Sequence, residues 1–357
     1  MKLSVEHVER LRELLARPKQ RIVTVAHTNP DGDAVGSSLA WAEALRAQGH
    51  EVVCIVPNKY PYFLDWMPGI DEVVIFRNDT EGRALKAVAE ADLIFCLDFN
   101  SLSRLEILSD TIAANTTARR VLIDHHLAPD KGFDAMFSYP QSSSTCYLVY
   151  RLIKALYGTE AISLWMAEAL YVGMMTDTGN FAFSSLTPEL FRAVAVLVER
   201  GIHIPTIYNN VYNAYTEGRA RLFGYAINRK MQVIEDGTVA YMSLMEHEMR
   251  RFQFQQGDSE GFVNYPLTIK KMKMSAMFLA HRKFIRISLR SRGDVDVNLF
   301  ARKYFNGGGH KNAAGGKSFV SMEETIEHFV RSVREFAEEG HLEGSKTKTP
   351  EPTPELP

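Results

Sequence analysis

The sequence has few of the features that would place a 357-residue chain in a specialised class. It holds only three cysteines, Cys54, Cys96 and Cys146, and this odd, widely spaced set inside apolar runs excludes a disulfide framework. No stretch approaches the roughly 18 apolar residues of a membrane span. The first residues predict a charged amphipathic helix rather than a signal peptide. We therefore expect a soluble, cytoplasmic protein with reduced core cysteines and no membrane partner.

An excess of charge of one sign is also missing. The chain has 41 Lys and Arg against 43 Asp and Glu, which gives a formal net charge of −2 at pH 7. Without a global basic field, binding of nucleic acid would depend on a local patch. The balance argues against a partner such as a long nucleic-acid duplex.

The rest of the composition is that of an ordinary globular protein. Apolar residues make up 46% and charged residues 24% of the chain. At roughly 150 residues per domain, the length predicts two domains.

The first half of the chain alternates strand and helix signals. Short, continuous apolar runs predict strands at 21–27, 51–56, 72–76, 91–99 and 119–126. Helical spacing follows from Ala34 to Gly49, at about 144–157, at 162–176 and from Thr187. Uninterrupted apolar strands separated by helices indicate a parallel sheet buried on both faces, and hence an α/β fold.

The second half carries hairpin signals instead. One strand–turn–strand pattern turns at Asp236-Gly237, and a second, over 273–291, turns around 281–283. A final amphipathic helix is predicted over 322–339. The segment 191–230 has helical character throughout, so we expect the domain boundary within or beside it.

Ionisable residues stand at the ends of several predicted elements of the first half. In chain order they are His27, Asp31 and Asp33, then Asp98, then Asp124, His125 and His126, and finally Asp177. Ligands of an open parallel sheet bind outside the carboxyl ends of its strands, so these residues can converge on one crevice. A single Asp after a strand is usually a turn residue or a helix N-cap. Several charged groups at the end of one apolar strand are harder to explain structurally, because unpaired buried charge is unfavourable.

A crevice with this many carboxylates and imidazoles predicts bound cations. Four Asp carboxylates balance two divalent ions, and a metal pair about 3.5–4 Å apart is the usual arrangement for displacement at phosphorus. Mixed imidazole and carboxylate ligation favours Mn²⁺ over Mg²⁺, which prefers oxygen ligands. It argues against a closed structural zinc site, which would normally use cysteine. We expect two divalent ions, with Mn²⁺ preferred and Mg²⁺ as the alternative.

The motifs together resemble those of a known family. HTNPDGDAVGSS, LDFN, LIDHH and TDTGNF are similar, in this order, to motifs I to IV of the DHH phosphoesterase superfamily. GGGHKNAAGG, at 307–316, is similar to the signature of the DHHA1 domain. The resemblance covers about residues 15 to 340 and implies a parallel-sheet DHH domain followed by a smaller α/β DHHA1 domain. The implied bounds are 1–190 for the catalytic DHH domain, 191–218 for a helical linker, 219–340 for the substrate-binding DHHA1 domain and 341–357 for a disordered tail.

The resemblance also implies the metal ligands. One ion would be held by His27, Asp31 and Asp98, with Asp177 as a further candidate. The other ion would be held by Asp33, Asp98, His125 and Asp177. Asp98 would therefore bridge the two ions.

Two further residues of the first domain are implied to be catalytic together with Asp98. His126 would face the phosphate and stabilise charge on its oxygens. Asp124 would orient a histidine, as histidine ligands of metals usually require.

In the second domain the resemblance implies substrate-binding residues. Gly308 and Gly309 let a backbone approach an anion closely, and His310 would contact phosphate. Arg290 would bind phosphate in a bidentate manner, and Arg292 is a further candidate. A plain helix end with a loop at the glycines, and a solvated strand end at Arg292, are the alternatives. A basic strip is either a solvated face or a short groove for RNA; it comprises Lys270, Lys271, Lys273, His281, Arg282 and Lys283.

Compact size and the domain pair are most similar to the bacterial nano-RNase family. This implies a phosphodiesterase that degrades short oligoribonucleotides, with 3′→5′ as the preferred direction, and that is also a phosphatase of 3′-phosphoadenosine 5′-phosphate (pAp). The alternatives are a soluble cyclic- or linear-dinucleotide phosphodiesterase, a RecJ-like exonuclease for single-stranded DNA and a non-catalytic nucleotide sensor. The GGGH segment argues against a type II pyrophosphatase. A homodimer is left open.

Overall fold

The computed structural model describes residues 2–183 and 186–342. The chain divides into two compact units, Met1–Tyr215 with Gln255–Gly257, and Thr216–Phe254 with Asp258–Pro357. The disordered tail expected at 341–357 lies outside the described residues from 343 onward.

The first unit is built on a parallel sheet, which confirms the fold predicted from the apolar runs. Its strands in the described ranges are β1 Arg21–Ala26, β2 Glu51–Val56, β3 Val74–Ile75, β4 Leu93–Leu97, β5 Arg119–Asp124 and β6 Ala135–Ser138. They pair in parallel in the order β3-β2-β1-β4-β5-β6. The chain changes direction across the sheet between β1 and β4. Such a switch point opens a crevice at the carboxyl ends of the two strands.

Helices cover both faces of this sheet. They are α1 Val5–Leu15, α2 Gly32–Arg46, α3 Arg83–Ala89, α4 Ser109–Ala114, α5 Thr145–Tyr157, α6 Leu164–Asp177, α7 Pro188–Glu199 and α8 Ile204–Tyr212. Alternate residues of β1 belong to two separate cores. Ile22 packs with residues of α2, α5 and α6, whereas Val23 packs with residues of α3 and α4. The unbroken apolar runs of the strands follow from this burial on both faces.

The second unit is built on a mixed sheet. Its strands within the described part are β7 Gln232–Ile234, β8 Val239–Leu244, β9 Met274–His281, β10 Phe284–Ser291, β11 Gly308–His310 and β12 Ala313–Ser318. Their order is β11-β12-β10-β9-β8-β7. The pairs are antiparallel apart from β8 with β9, which is parallel. The hairpins β7–β8 and β9–β10 turn where the sequence predicted.

Helices of the second unit are α9 Glu217–Tyr225, α10 Glu246–Arg251, α11 Val297–Phe305 and α12 Met322–Glu338. Phe300 of α11 and Phe329 of α12 pack with Ile287 and other buried residues of β9 and β10. The helix predicted over 322–339 is thus confirmed as α12.

Some predicted elements were too long. The strand expected at 72–76 shrinks to β3, and the helical segment expected at 191–230 is broken between α7, α8 and α9. Short β6 was not predicted. Gly308–His310 form an edge strand rather than a loop, because their backbone pairs with β12. Within 2–183 and 186–342, no helix is both long and apolar enough to cross a membrane.

Candidate metal centre

The predicted ligands lie at the carboxyl edge of the first unit's sheet. His27 directly follows β1, Asp98 directly follows β4, and Asp124 is the last residue of β5. The side chains form three triads in which one ligand atom per residue lies within 4.8 Å of the others: His27–Asp31–Asp98, Asp33–His125–Asp177 and Asp98–Asp124–His126. The structure thus brings together residues from strands, helices and loops that are up to 150 positions apart (27 to 177).

Asp98 stands between two buried histidines. Its Oδ2 lies 3.5 Å from Nε2 of His27, and its Oδ1 lies 3.5 Å from Nε2 of His125. The hydroxyl of Thr145, the first residue of α5, donates a hydrogen bond to Oδ1 over 2.9 Å. Asp98 as a whole residue is 2% exposed. Each carboxylate oxygen therefore faces a different imidazole, which is the arrangement that a bridging ligand needs.

His27 is held in the state in which imidazole binds metals. Its Nδ1 lies 2.9 Å from the carbonyl oxygen of Thr28. A carbonyl only accepts, so Nδ1 carries the proton and Nε2 keeps its lone pair on the side of Asp98. Burial lowers the pKa of His27 to about 4, although Asp31 raises it, and the cation of Arg104 lowers it further. The imidazole is neutral near pH 7, as metal ligation requires. Arg104 is a neighbour that the motifs did not reveal.

His125 is anchored in the same way. Its Nδ1 lies 3.2 Å from the carbonyl oxygen of Ser142, and its Nε2 lies 3.1 Å from Oδ2 of Asp177 and 3.8 Å from Oδ2 of Asp33. Burial lowers the pKa of His125, but the nearby carboxylates outweigh it and raise the pKa above its usual value. Nothing in the motifs singled out Ser142, because its contribution is a backbone carbonyl.

Asp33 also caps a helix. Its carboxylate accepts from the backbone N–H of Thr145 over 2.6 Å and of Cys146 over 2.8 Å, at the start of α5. Asp31 caps α2 through the N–H groups of Asp33 and Ala34. Helix N-termini favour negative charge. The helix ends therefore fix the orientation of both carboxylates.

Asp124 is paired with His126 rather than with His125. Oδ1 of Asp124 lies 2.7 Å from Nδ1 of His126. Burial raises the pKa of Asp124, but the hydrogen bond and the charge of His126 outweigh it and hold the pKa below its usual value. Its Oδ2 is buried and has no hydrogen-bond partner in the described part of the chain. Nδ1 of His126 also lies 3.9 Å from Oδ1 of Asp98.

The donor set fits divalent cations. Burial raises the pKa of Asp98 well above its usual range, and the negative charges of Asp33, Asp31, Asp177 and Asp124 add to the effect. Burial likewise raises the pKa of Asp33. Buried carboxylates that repel one another in this way are stabilised as anions by positive charge. Neutral imidazole and carboxylate are ligands that Mn²⁺ and related ions accept.

Gly173 of α6 makes the close packing around Asp33 possible. A Cβ at this position would lie 2.6 Å from Oδ1 of Asp33 and would overlap Sγ of Cys146. We expect Gly173→Ala to displace Asp33, to lower the affinity for Mn²⁺ about tenfold and to destabilise the fold by roughly 1–3 kcal/mol. Calorimetric titration with Mn²⁺ and thermal unfolding measure the two effects.

Gly224→Ala is the matched control for this change. Gly224 lies in α9 with no atom within 4 Å of an added Cβ. Alanine is a better helix former than glycine, so this variant should be as stable as the native chain or more so. An unchanged Mn²⁺ affinity in Gly173→Ala would show that Asp33 tolerates the displacement.

Two of the substrate-binding residues predicted in the second unit, Arg290 and His310, lie on the two strands that neighbour β12. Arg290 of β10 and His310 of β11 are both paired with Ala313 of β12, on its two sides. The N–H of Gly309 donates to Oδ1 of Asn298 over 3.0 Å, so Asn298 fixes the edge strand. Arg292 directly follows β10 and is exposed.

Family models match both units. Residues 21–174 match the model described as DHH family, N-terminal domain, and residues 236–339 match the DHHA1 domain. The metal-centre residues from His27 to His126 lie inside the first match, and Arg290 and His310 lie inside the second.

Similar proteins cover nearly the whole chain. The bifunctional oligoribonuclease and PAP phosphatase NrnA of Thermus thermophilus is 28% identical over 342 residues, which span 92% of this chain and 94% of that protein. The protein of the same name from Bacillus subtilis is 26% identical over 306 residues, which span 85% of this chain and 90% of that protein. A solved structure of an exopolyphosphatase-related protein from Bacteroides fragilis is 40% identical, with a TM-score of 0.87, and covers 95% of this chain and 98% of that chain.

Proposed function

We propose a function from one premise: this chain belongs to the DHH phosphoesterase superfamily, in the group whose DHH domain is followed by a DHHA1 domain. The protein hydrolyses short oligoribonucleotides and removes the 3′-phosphate from pAp, in a metal-dependent manner. The observation that carries the proposal is Asp98, whose two oxygens each face a different buried histidine. The names of the two curated relatives state the same pair of activities.

Two divalent ions are proposed as cofactors. His27, Asp31 and Asp98 hold one, and the ligands of the other are Asp33, Asp98, His125 and Asp177. When bound, the ions supply Lewis-acid stabilisation of phosphoryl oxygens and an acidified water. We propose Mn²⁺ as the preferred ion because two of the ligands are imidazoles.

Within the first unit, His126 and Asp124 stabilise the phosphate. Asp124 holds the proton of His126 at Nδ1 and supports positive charge on the ring. The opposite ring nitrogen, Nε2, is then the atom that meets a phosphoryl oxygen. Negative charge grows on those oxygens during displacement at phosphorus, so a fixed donor there lowers the barrier.

The second unit supplies substrate binding. Arg290, His310 and the backbone of Gly308 and Gly309 are proposed to bind a substrate phosphate. We propose residues 1–190 as the catalytic domain, 191–218 as a helical linker and 219–340 as the substrate-binding domain. We propose degradation from the 3′ end as the preferred direction. In removal of a 3′-phosphate and of a 3′-terminal nucleotide alike, the bond between phosphorus and a 3′-oxygen would break.

The test is a substrate panel with purified protein and Mn²⁺ or Mg²⁺. It contains pAp, a diribonucleotide, cyclic di-AMP, pyrophosphate and a long RNA. Turnover of pAp and the dinucleotide supports the proposal. Turnover of cyclic di-AMP alone would assign the protein to cyclic-dinucleotide phosphodiesterases, and turnover of none would favour a nucleotide sensor.

Substrate length gives a sharper prediction. With a net charge of −2, the chain offers little basic surface for a long strand, and phosphates that meet no cation add nothing to affinity. We expect kcat/KM to fall at least tenfold as RNA grows from two to about 24 nucleotides, which needs only ~1.4 kcal/mol of differential transition-state binding. Initial rates on 5′-labelled RNAs of graded length, at fixed Mn²⁺ and salt, measure this. Efficiency that is constant or rises with length would move the protein towards RecJ-like exonucleases.

A further inference from the structure

One face of the second unit's sheet carries residues that the proposed function does not use. Along β10, buried residues alternate with partly exposed ones, which are Phe284, Arg286, Ser288 and Arg290. Alternate residues of a strand point to the same face of a sheet. The buried set, which includes Ile287 and Leu289, packs on α11 and α12. Arg286 therefore points away from those helices, together with Arg290.

Neighbouring strands extend this face. Across β10 and β12 the paired residues are Arg286–Lys317, Ser288–Gly315 and Arg290–Ala313. Directly paired residues share a face, and His310 of β11 is paired with Ala313 in turn. The face thus has Arg290 and His310 at one end and Arg286 with Lys317 at the other. Small residues lie between the two ends.

The guanidinium of Arg286 is held in place by one hydrogen bond, and another of its N–H donors has no partner among the described residues. Its Nη2 donates to the hydroxyl of Ser259 over 2.9 Å. Its Nε is buried and has no hydrogen-bond partner within the described ranges. No carboxylate of the described residues lies within ion-pair distance of its guanidinium. A guanidinium that is oriented but not neutralised in this way is suited to an anion.

Aromatic rings lie beside Lys317, the cross-strand partner of Arg286. The rings of His281 and Phe284 stack with centroids 5.0 Å apart at 19°, and Nζ of Lys317 lies 4.9 Å from the centroid of Phe284. The basic residues at 270–273 and 281–283, which the sequence suggested as one strip, do not form a continuous strip. Lys270, Lys271 and Lys273 precede β9, whereas His281, Arg282 and Lys283 lie at its other end.

We propose that Arg286 and Lys317 form a second phosphate subsite, which binds the backbone of an oligoribonucleotide beyond the phosphate held by Arg290 and His310. This inference rests on the proposed function. Stacking on the pair of rings at His281 and Phe284 would suit a base next to that phosphate.

The distance between Arg286 and Arg290 determines how long an RNA must be to contact both ends of this face. Arg286 and Arg290 are four residues apart in one strand, which spans about 14 Å at ~3.4 Å per residue. A stacked nucleic-acid strand advances about 3.4 Å per nucleotide, so roughly four nucleotides are needed to reach across. A dinucleotide engages one end only, whereas a pentanucleotide reaches both.

Direct binding tests this subsite independently of turnover. A labelled five-nucleotide RNA is titrated with the full chain while divalent ions are chelated, and an unlabelled dinucleotide competes for the same site. We expect Arg286→Ala to weaken binding of the pentanucleotide at least fivefold more than binding of the dinucleotide. Lys317→Ala should have the same selective effect. Because Lys317 is exposed, this variant tests the subsite even if Arg286→Ala fails to fold.

Arg331→Ala is the matched control, because Arg331 is an exposed arginine of α12, the helix packed on the opposite face. It removes the same charge and should leave the ratio of the two affinities unchanged. Equal losses for both RNAs in Arg286→Ala and Lys317→Ala, or a loss as large in Arg331→Ala, would overturn the subsite. A selective loss in a protein that hydrolyses no RNA would leave the subsite standing and overturn the proposed function instead.

Discussion

Replacing Asp98 by alanine should lower metal-dependent hydrolysis of every substrate on the order of a thousandfold, about 4 kcal/mol of transition-state stabilisation. The reason is its position, since its two oxygens face His27 and His125 separately. Under the proposed assignment, its removal takes a ligand from both ions at once. The fold should survive, because all five residues of β4 are buried and apolar. Values of kcat/KM for pAp and a diribonucleotide in Mn²⁺ measure the effect.

Asp92→Ala is the control for the loss of an aspartate next to β4. Asp92 precedes that strand at the opposite edge of the sheet, where its carboxylate accepts from the N–H of Arg21. Its removal should leave kcat/KM within twofold of the native value. If Asp98→Ala kept a tenth of native turnover, the assignment of Asp98 as a bridging ligand would be wrong.

Replacing Asp124 by asparagine should lower kcat about a hundredfold while leaving Mn²⁺ affinity unchanged. Asparagine either keeps the hydrogen bond to Nδ1 of His126 without its negative charge, or presents an amide N–H and forces the other tautomer. In both cases His126, the proposed donor to a phosphoryl oxygen, donates more weakly. Loss of such a group typically lowers the rate 10²–10⁴-fold. Steady-state kinetics with pAp and calorimetric titration with Mn²⁺ separate the two quantities.

Asp134→Asn provides the comparison for this substitution. Asp134 accepts from the backbone N–H of Arg120, at the other end of β5, and contacts no residue of the metal centre in the described structure. It should retain native kcat. A fall in Mn²⁺ affinity in Asp124→Asn would instead identify Asp124 as a metal ligand, consistent with its place in a triad with Asp98 and His126.

The positions of the metal-centre residues could be predicted because parallel strands impose them. His27, Asp98 and Asp124 each stand at the carboxyl end of an apolar run, and in a parallel sheet those ends share one edge. The apolar runs themselves require burial on both faces, which indicated the α/β fold. The hairpins β7–β8 and β9–β10 were predicted from local turn residues and alternation.

Contacts between distant segments could not be predicted in this way. The carbonyl of Ser142 that anchors His125 carries no side-chain signal, and Asp33 caps a helix that begins 112 residues further on. The pairing of Arg286 with Lys317 depends on the register of β10 with β12, which composition does not encode. The breaks between α7, α8 and α9 were missed because the whole segment has helical character, and its ends are set by tertiary packing.

The backbone at Asp98 links activity to stability. Asp98 has φ 65°, a left-handed conformation that residues other than glycine adopt at a cost of about 1–2 kcal/mol. It is also buried among carboxylates of like charge. Both features oppose folding, so a metal-free chain with glycine at this position would resist heat better than the native metal-free chain while being inactive. The residue on which the proposed hydrolysis depends most is therefore also one that lowers the stability of the metal-free fold.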